Sequence, residues 1–425
     1  MLVLLLLVGL LLLFLFIGVP VSIATLFSGI ITFLINGISL ETVSIRILNG
    51  IGKYELLAVP LFIVLGNLLH VSGLAEKLIG FAKSLVGHFR GGLPMVTVVT
   101  GMFLAEMSGA GTADAAVLSK IFIPSMAKAG YPRGFSAAVI CGASSLAIII
   151  PPSIPLIILG ISANISISKL FLAAILPGMA LVLLELFLSY FLSKRYNLPK
   201  SSHFSIKQVI GSLKESWFVL LIPLIILGSI FTGFATILES AELGLIVTLI
   251  GAIIYGKLNF KTIYQTIINS FNQTAVIMLI VSGSTLISWV FANEQVGEKV
   301  VDFISTLHLP DALIFLIVAF FLLVLGTFLH STATIIIVGP MLVPLMNMLD
   351  ISLLQYGVVL MLAQGVGQMT PPVATVLYTV SSTGEVPVKE ILKYLLPFLL
   401  VYFAAMLLTM YIPFLTEFVP AHFGG

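Results

Sequence analysis

LAIIIPPSIPL, residues 146–156, places a Pro-Pro pair inside a long apolar stretch. VGQMTPPVATV, residues 366–376, does the same 220 residues further on. At that single offset, without a gap, Thr112-Ala113 matches Thr332-Ala333, Pro124 matches Pro344, and Met126 matches Met346. Ser162, Lys169 and Pro177 likewise match Ser382, Lys389 and Pro397. Coincidences among Leu, Val and Ala mean little in so apolar a chain, but prolines held in one register mean much more. The chain reads as a duplication in which each copy breaks a membrane helix at the same place. Paired broken helices in two halves of a membrane protein point to a transport site.

Composition sets the frame. The 425 residues are 60% hydrophobic and 8% charged, against roughly 25% charged in a soluble domain. Apolar runs of about 20 residues recur from end to end, as membrane-spanning helices require. The longest polar stretch, about Lys194 to Lys214, is a loop, so no separate soluble domain is expected. The opening run MLVLLLLVGLLLLFLFIG has no basic leader, the first Lys or Arg being Arg46, and reads as a retained span rather than a signal peptide. The single cysteine, Cys141, excludes an intramolecular disulfide and a multi-cysteine metal site, and reads as a small packing residue. No GxxxxGK[ST], HExxH or GxSxG motif occurs, so neither nucleotide hydrolysis nor an enzyme is expected, and uphill transport must draw on an ion gradient. The net charge of +2 gives no reason to expect a nucleic-acid partner.

The first copy, residues 1–200, predicts spans near 1–17, 20–36 and 56–73, with a short polar-flanked segment at 40–53. An amphipathic stretch at 74–89 precedes two apolar legs, 92–107 and 113–128, parted by Ser108-Gly109-Ala110-Gly111-Thr112. A long span over 134–165 is interrupted at Pro151-Pro152, and a last span covers 169–193. The second copy, 201–425, predicts spans near 216–234, 236–255 and 271–293 and an amphipathic stretch at 294–307. Legs at 310–327 and 333–348 follow, joined by Phe328-Leu329-His330-Ser331-Thr332. A broken span over 352–383 and a final span over 390–414 close the chain.

Each pair of legs is either two full spans or a re-entrant hairpin. Their tips expose Gly, Ser and Thr backbone, which lipid does not tolerate and a cavity does. If both are hairpins, 92–128 and 310–348, five full spans separate them, and the copies lie in opposite orientations. The positive-inside rule tests this topology. It gathers Lys77, Lys83, Arg90, Lys128, Arg133, Lys194, Arg195, Lys200, Lys207, Lys214, Lys257, Lys261, Lys389 and Lys393 on one side. The other side has only Arg46, Lys53, Lys169 and Lys299, fourteen against four. Treating a pair of legs as one span destroys this asymmetry. The prediction is an all-α polytopic inner-membrane protein, both termini periplasmic, with inverted repeats, two re-entrant hairpins and two broken helices. The first hairpin would open to the cytoplasm and the second to the periplasm.

Chemistry should sit where backbone is uncovered. The tip Ser108-Gly-Ala-Gly-Thr112 reads either as a capped, tight turn or as part of an oxygen cage for a hard cation such as sodium. Each Pro-Pro pair frees carbonyls, around Ala147–Ile150 near Ser144 and Ser145, and around Gly365–Thr370 near Gln364 and Gln368. Such carbonyls cost several kcal/mol in hydrocarbon unless a cation, water or neighbouring helix meets them. One break alone would be a healed kink; two in matching repeats, each near a hydroxyl-bearing tip, favour an ion site. Intramembrane charges are few: Glu106, Asp114, Lys120, Glu185, Glu239 and Glu242. Glu106 and Asp114 flank the first tip; Glu239 and Glu242 fall near a span end. His70 reads as a packing or interfacial histidine, and His330 stands at the second tip.

Residues 105–160, AEMSGAGTADAAVLSKIFIPSMAKAGYPRGFSAAVICGASSLAIIIPPSIPLIILG, resemble the signature region of the large membrane subunit of tripartite ATP-independent periplasmic (TRAP) transporters. Residues 56–69, LLAVPLFIVLGNLL, resemble another part of it, and the likeness extends over essentially the whole chain. The resemblance implies a sodium-driven importer of organic acids with an elevator-type ion-transporter fold. It also implies two partners, a small four-helix membrane subunit and a periplasmic substrate-binding protein. The chain lacks the extra N-terminal spans of fused versions, so the small subunit is expected as a separate polypeptide. Carried over by motif, one sodium site falls on Ser108, Gly111, Thr112, Ser145 and Ile150. The other falls on Thr332, Ala333, Gly365, Met369 and Thr370, where the tip departs from the Gly-rich form of the first. Substrate, a sialic acid or C4-dicarboxylate, is expected against Ser108, Pro151, His330, Ser331, Thr332 and Pro371. The competing readings are a proton- or ion-coupled transporter or channel working without a binding protein, and a structural membrane subunit with no ion site.

Overall fold

The computed structural model describes residues 2–196, 205–255 and 259–423. Lys200 and Lys257 of the charge tally lie outside them. The described residues form 21 α-helices and no strand. The chain opens with α1 (Leu2–Phe16), α2 (Val21–Ile35) and α3 (Leu40–Ile51). A 3-10 turn, Tyr54–Leu57, runs into α4 (Ala58–Ser72), which is followed by α5 (Leu74–Val86). The first pair of legs is α6 (Gly92–Ser108) and α7 (Gly111–Lys128). The broken span is α8 (Arg133–Ser145), a 3-10 turn at Leu146–Ile148, and α9 (Ile154–Ala163); α10 (Ile167–Arg195) ends the copy. The second copy begins with α11 (Ile206–Phe231), α12 (Ile237–Ile254), α13 (Phe260–Asn293) and α14 (Val296–Ser305). Its legs are α15 (Asp311–Phe328), then α16 (Ser331–Met341) and α17 (Val343–Met348). The broken span is α18 (Leu353–Met369) and α19 (Thr375–Gly384), with α20 (Val388–Tyr411) and α21 (Phe414–Phe423) last. Among the described residues, seven helices are long and apolar enough to cross a membrane.

Local chemistry explains the boundaries. Ser39 and Ser166 cap α3 and α10, and Asn259 Oδ1 accepts from Thr262 N at 2.7 Å to start α13. Thr236 and Glu239 form a capping box on α12, so Glu239 serves a helix end. Two helices begin well before the spans expected at 216 and 271, α11 at Ile206 and α13 at Phe260. Their first three turns carry Lys207, Gln208, Lys214, Lys261 and Gln265; such residues rule out hydrocarbon but not a helix. The second leg of the second copy is split at Leu342, where Pro340 and Pro344 interrupt the amide ladder. The expected final span is joined by an unforeseen helix, α21, which packs on α10 and α18.

The first halves of the broken spans are the centre of the molecule. Every residue of α8 from Gly134 to Ser145 is buried, as is every residue of α18 from Gln355 to Gly367. A helix covered on all sides is a core element, not a lipid-facing one. The packing around them is reciprocal: α7 lies on α8 and on α19 of the other copy, while α16 lies on α9 of the other copy. Likewise α20 packs against α8, and α10 against α18. Outside this centre, α13 packs against α2, α3 and α4, α12 against α4 and α11, and α5 against α6 and α11.

Candidate functional site

At the first tip only Gly109 and Ala110 separate α6 from α7. Gly109 is left-handed (φ +56°), and a Cβ there would lie 3.1 Å from both Pro152 O and Ile154 N. Glycine is needed for conformation and for close approach to the first break. The Ser108 hydroxyl donates to Asp114 Oδ1 at 2.7 Å and accepts from Ala110 N at 3.2 Å, tying the turn to the first turn of α7. Asp114 is fully buried; its Oδ2 has no hydrogen-bond partner, and His70 Nε2 of α4 stands 3.6 Å from its Oδ1. His70, read as a packing residue, therefore faces an acid at the tip.

The second tip is built differently. His330 caps α16, its Nδ1 accepting from Thr332 N at 3.3 Å. That ring nitrogen is committed to the helix start, where the first copy uses glycine. Gln368 Nε2 donates to Ser331 Oγ at 3.3 Å, and Val373 N donates to Thr327 O at 3.1 Å, so the second break is tied to both ends of its own tip. A Cβ on Gly367 would strike Gly326 O, so α15 and α18 meet backbone to backbone.

The two tips converge on one place. A Cβ on Gly111 would lie 2.9 Å from Ser144 O, beside the first break, and 3.3 Å from Gln368 Oε1, beside the second. Gln368 is therefore bonded to one tip and packed on the other. Tyr402 of α20 joins the broken helices below: its hydroxyl donates to Gly142 O at 3.0 Å, and its ring would meet a Cβ on Gly365 at 2.7 Å. Both Pro151-Pro152 and Pro371-Pro372 are cis.

The predicted residues divide as follows. Gly111 meets the segment from Ser144 to Ile154, as Gly109 does, with Ser145, Ile150 and Pro151 buried in it; Ser108 is buried against Gly66 of α4. Thr112, in contrast, is exposed on the first turn of α7. Thr332 and Ala333 are buried at the start of α16. Met369 is buried, and Thr370 closes α18 by donating from Oγ1 to Val366 O at 2.8 Å. Gly365 sits in the last turns of α18, and Pro371 follows immediately. Gln368 belongs to neither predicted site, though its polar amide one turn before Pro-Pro is the sequence signal that marks it. The donors here are hydroxyls, carbonyls, an amide and one carboxylate, a set suited to a hard cation. No group of three His, Cys, Asp or Glu side chains occurs among the described residues.

The remaining intramembrane charges lie elsewhere. Glu185 of α10 is fully buried, neither carboxyl oxygen has a hydrogen-bond partner, and its Oε1 would lie 2.8 Å from a Cβ on Gly142. Glu106 is half-buried, and Lys120 and Glu242 are exposed.

Long apolar helices around two interrupted ones, with polar groups converging at the interruptions, define a multi-pass membrane transport protein. The chain belongs to the tripartite ATP-independent periplasmic transporters as their DctM component, a family whose model matches residues 8–415. At 34% identity over 97% of each chain it is similar to the sialic acid TRAP transporter large permease protein SiaM of Vibrio cholerae. At 30% identity over 93% of each it is similar to the C4-dicarboxylate TRAP transporter large permease protein DctM of Pseudomonas aeruginosa. The fold is shared with the Alcanivorax borkumensis YdaH transporter, with a TM-score of 0.61 over 88% of each chain at 13% identity. Family membership makes the chain a transporter component rather than an enzyme.

Proposed function

We propose that this chain is the large permease of a sodium-driven importer that brings an organic acid across the bacterial inner membrane. Its partners are a small four-helix membrane subunit and a periplasmic binding protein that delivers the acid. Residues 1–200 and 201–425 are inverted repeats, with both termini periplasmic. The hairpins α6–α7 and α15–α17 and the broken helices α8–α9 and α18–α19 form a moving unit. The other helices form the scaffold that holds the small subunit. Sodium is held by Ser108, Gly111, Thr112, Ser145 and Ile150 at one tip, and by Thr332, Ala333, Gly365, Met369 and Thr370 at the other. Asp114, buried beneath the first tip, adds negative charge there. The anionic acid then binds between Ser108, Pro151, His330, Ser331, Thr332 and Pro371, met by amides at the N-termini of α7 and α16. The unit slides to carry the acid across the membrane.

The observation that carries this reading is the convergence of both tips and both breaks on Gly111 and Gln368. Likeness to a sialic acid permease supports sialic acid as the substrate, ahead of a C4-dicarboxylate. The test is N-acetylneuraminate uptake into proteoliposomes, with succinate as competitor. Uptake should require an inward sodium gradient, the binding protein and the small subunit. Uptake that persists without sodium overturns the coupling.

A further inference from the structure

Arg46, Asn49 and Gly50, three and four residues apart, share one face at the end of α3, and Lys53 continues the stripe two residues past that end. The stripe borders a cavity of about 240 Å³ whose far wall includes Ser162 of α9 and Thr285 and Ser288 of α13. Neither cation pairs with a carboxylate among the described residues, and no acidic residue lines the cavity. Arg46 lies over the Trp289 ring, 5.7 Å from its centroid, and Lys53 Nζ donates to Ile161 O at 2.8 Å, so both heads are held at the cavity by other partners. The floor is fixed, since a Cβ on Gly50 would strike the Thr285 hydroxyl. Ile336 of α16 also lines the cavity, five residues past Ser331 of the second tip. At 1.5 Å per helical residue that is about 7.5 Å of helix.

We propose that this cavity is a carboxylate-binding vestibule. An organic acid released to the membrane subunit sets its carboxylate against Arg46, Asn49 and Lys53 before moving along α16 to the tips. A guanidinium and an ammonium supply donors only and the Asn49 amide adds two more, which suits a carboxylate, while the two positive charges repel a cation. Two positive charges at the mouth of a low-dielectric cavity also concentrate anions there. The proposal rests on the organic-acid reading but not on sodium coupling.

Trp289 is a built-in reporter, and Trp217 is the only other tryptophan of the chain. The full-length Trp217→Phe chain, purified in nanodiscs, is titrated with N-acetylneuraminate and with succinate while Trp289 emission is followed. The expected result is a saturable change with at least one acid, absent in Trp289→Phe and absent with the uncharged methyl ester. Arg46→Gln and Lys53→Gln should each weaken it roughly tenfold, the loss of about one charged hydrogen bond. Lys53 is exposed beyond the helix end, so its variant reads out even where Arg46→Gln does not fold. The same affinity for the methyl ester, or an unchanged affinity in Lys53→Gln, overturns the proposal. So does a response that appears with the binding protein but with neither free acid, which would make the stripe a protein-docking patch. The titration is run with and without sodium. Sodium-independent uptake would then sink the coupling while leaving this result standing.

Discussion

Gln368 donates to the Ser331 hydroxyl at 3.3 Å while its Oε1 faces Gly111 of the other copy. One side chain thus touches both tips, which lie more than two hundred residues apart in sequence. Replacing it with Ala removes the bond and leaves a gap between the tips. Uptake by Gln368→Ala in proteoliposomes should fall roughly tenfold, a loss of about 1–1.5 kcal/mol, at normal membrane levels of protein. Unimpaired uptake would mean that the two tips work independently.

The Ser108–Asp114 bond gives a second expectation. Hydrogen bonds to a charged group contribute about 1.5–3 kcal/mol. Ser108→Ala and Asp114→Asn should therefore raise the sodium concentration for half-maximal uptake by roughly ten- to a hundredfold. The comparison variant is Glu106→Gln, on the same leg but half-buried and not bonded to the tip. A sodium dependence that responds equally to all three would place the ion elsewhere.

Thr112 and Thr332 occupy matching positions with different exposure, Thr112 exposed and Thr332 buried. If both hold sodium, Thr112→Ala and Thr332→Ala each alter the sodium dependence of uptake, and the double variant loses most of it. Unchanged sodium curves in both would favour a membrane subunit without an ion site.

Packing around the broken helices predicts stability. Gly367→Ala forces a methyl into Gly326 O, and overpacking of this kind costs about 1–3 kcal/mol. Thermal unfolding of the detergent-solubilised protein should come several degrees earlier. Glu185, buried without a hydrogen-bond partner, behaves in the opposite way. Glu185→Gln keeps the shape and removes the ionisable group, so it should unfold at or above the wild-type temperature. Glu185→Leu should do the same if the carboxyl has no structural partner.

Much of the fold was legible because hydrocarbon imposes simple rules. The Pro-Pro register, the Gly/Ser/Thr tips and apolar length placed most helices of both copies to within a few residues, apart from α3, α21, the split between α16 and α17, and the early starts of α11 and α13. The two early starts share a cause: the first turns of α11 and α13 are polar enough to leave the bilayer yet still helical. α21 is too short for a spanning criterion to register. The site was legible in part. Tips and breaks could be paired by repeat logic, since hydroxyls and freed carbonyls announce themselves. Contacts across the copies could not be paired. Gln368 against Gly111, His70 against Asp114 and Tyr402 against Gly142 depend on how helices from distant segments cross, which local pattern does not encode.

The reciprocal packing of α7 on α19 and α16 on α9 also bears on synthesis. α7 emerges roughly 250 residues before α19, the helix that packs on it. At about 5–20 residues per second, the first copy waits roughly 10–50 s for its lid. During that interval Ser108, Asp114 and the carbonyls beside Pro151 lack their final enclosure. The first copy's part of the site is therefore completed only when the last helices of the chain have been made.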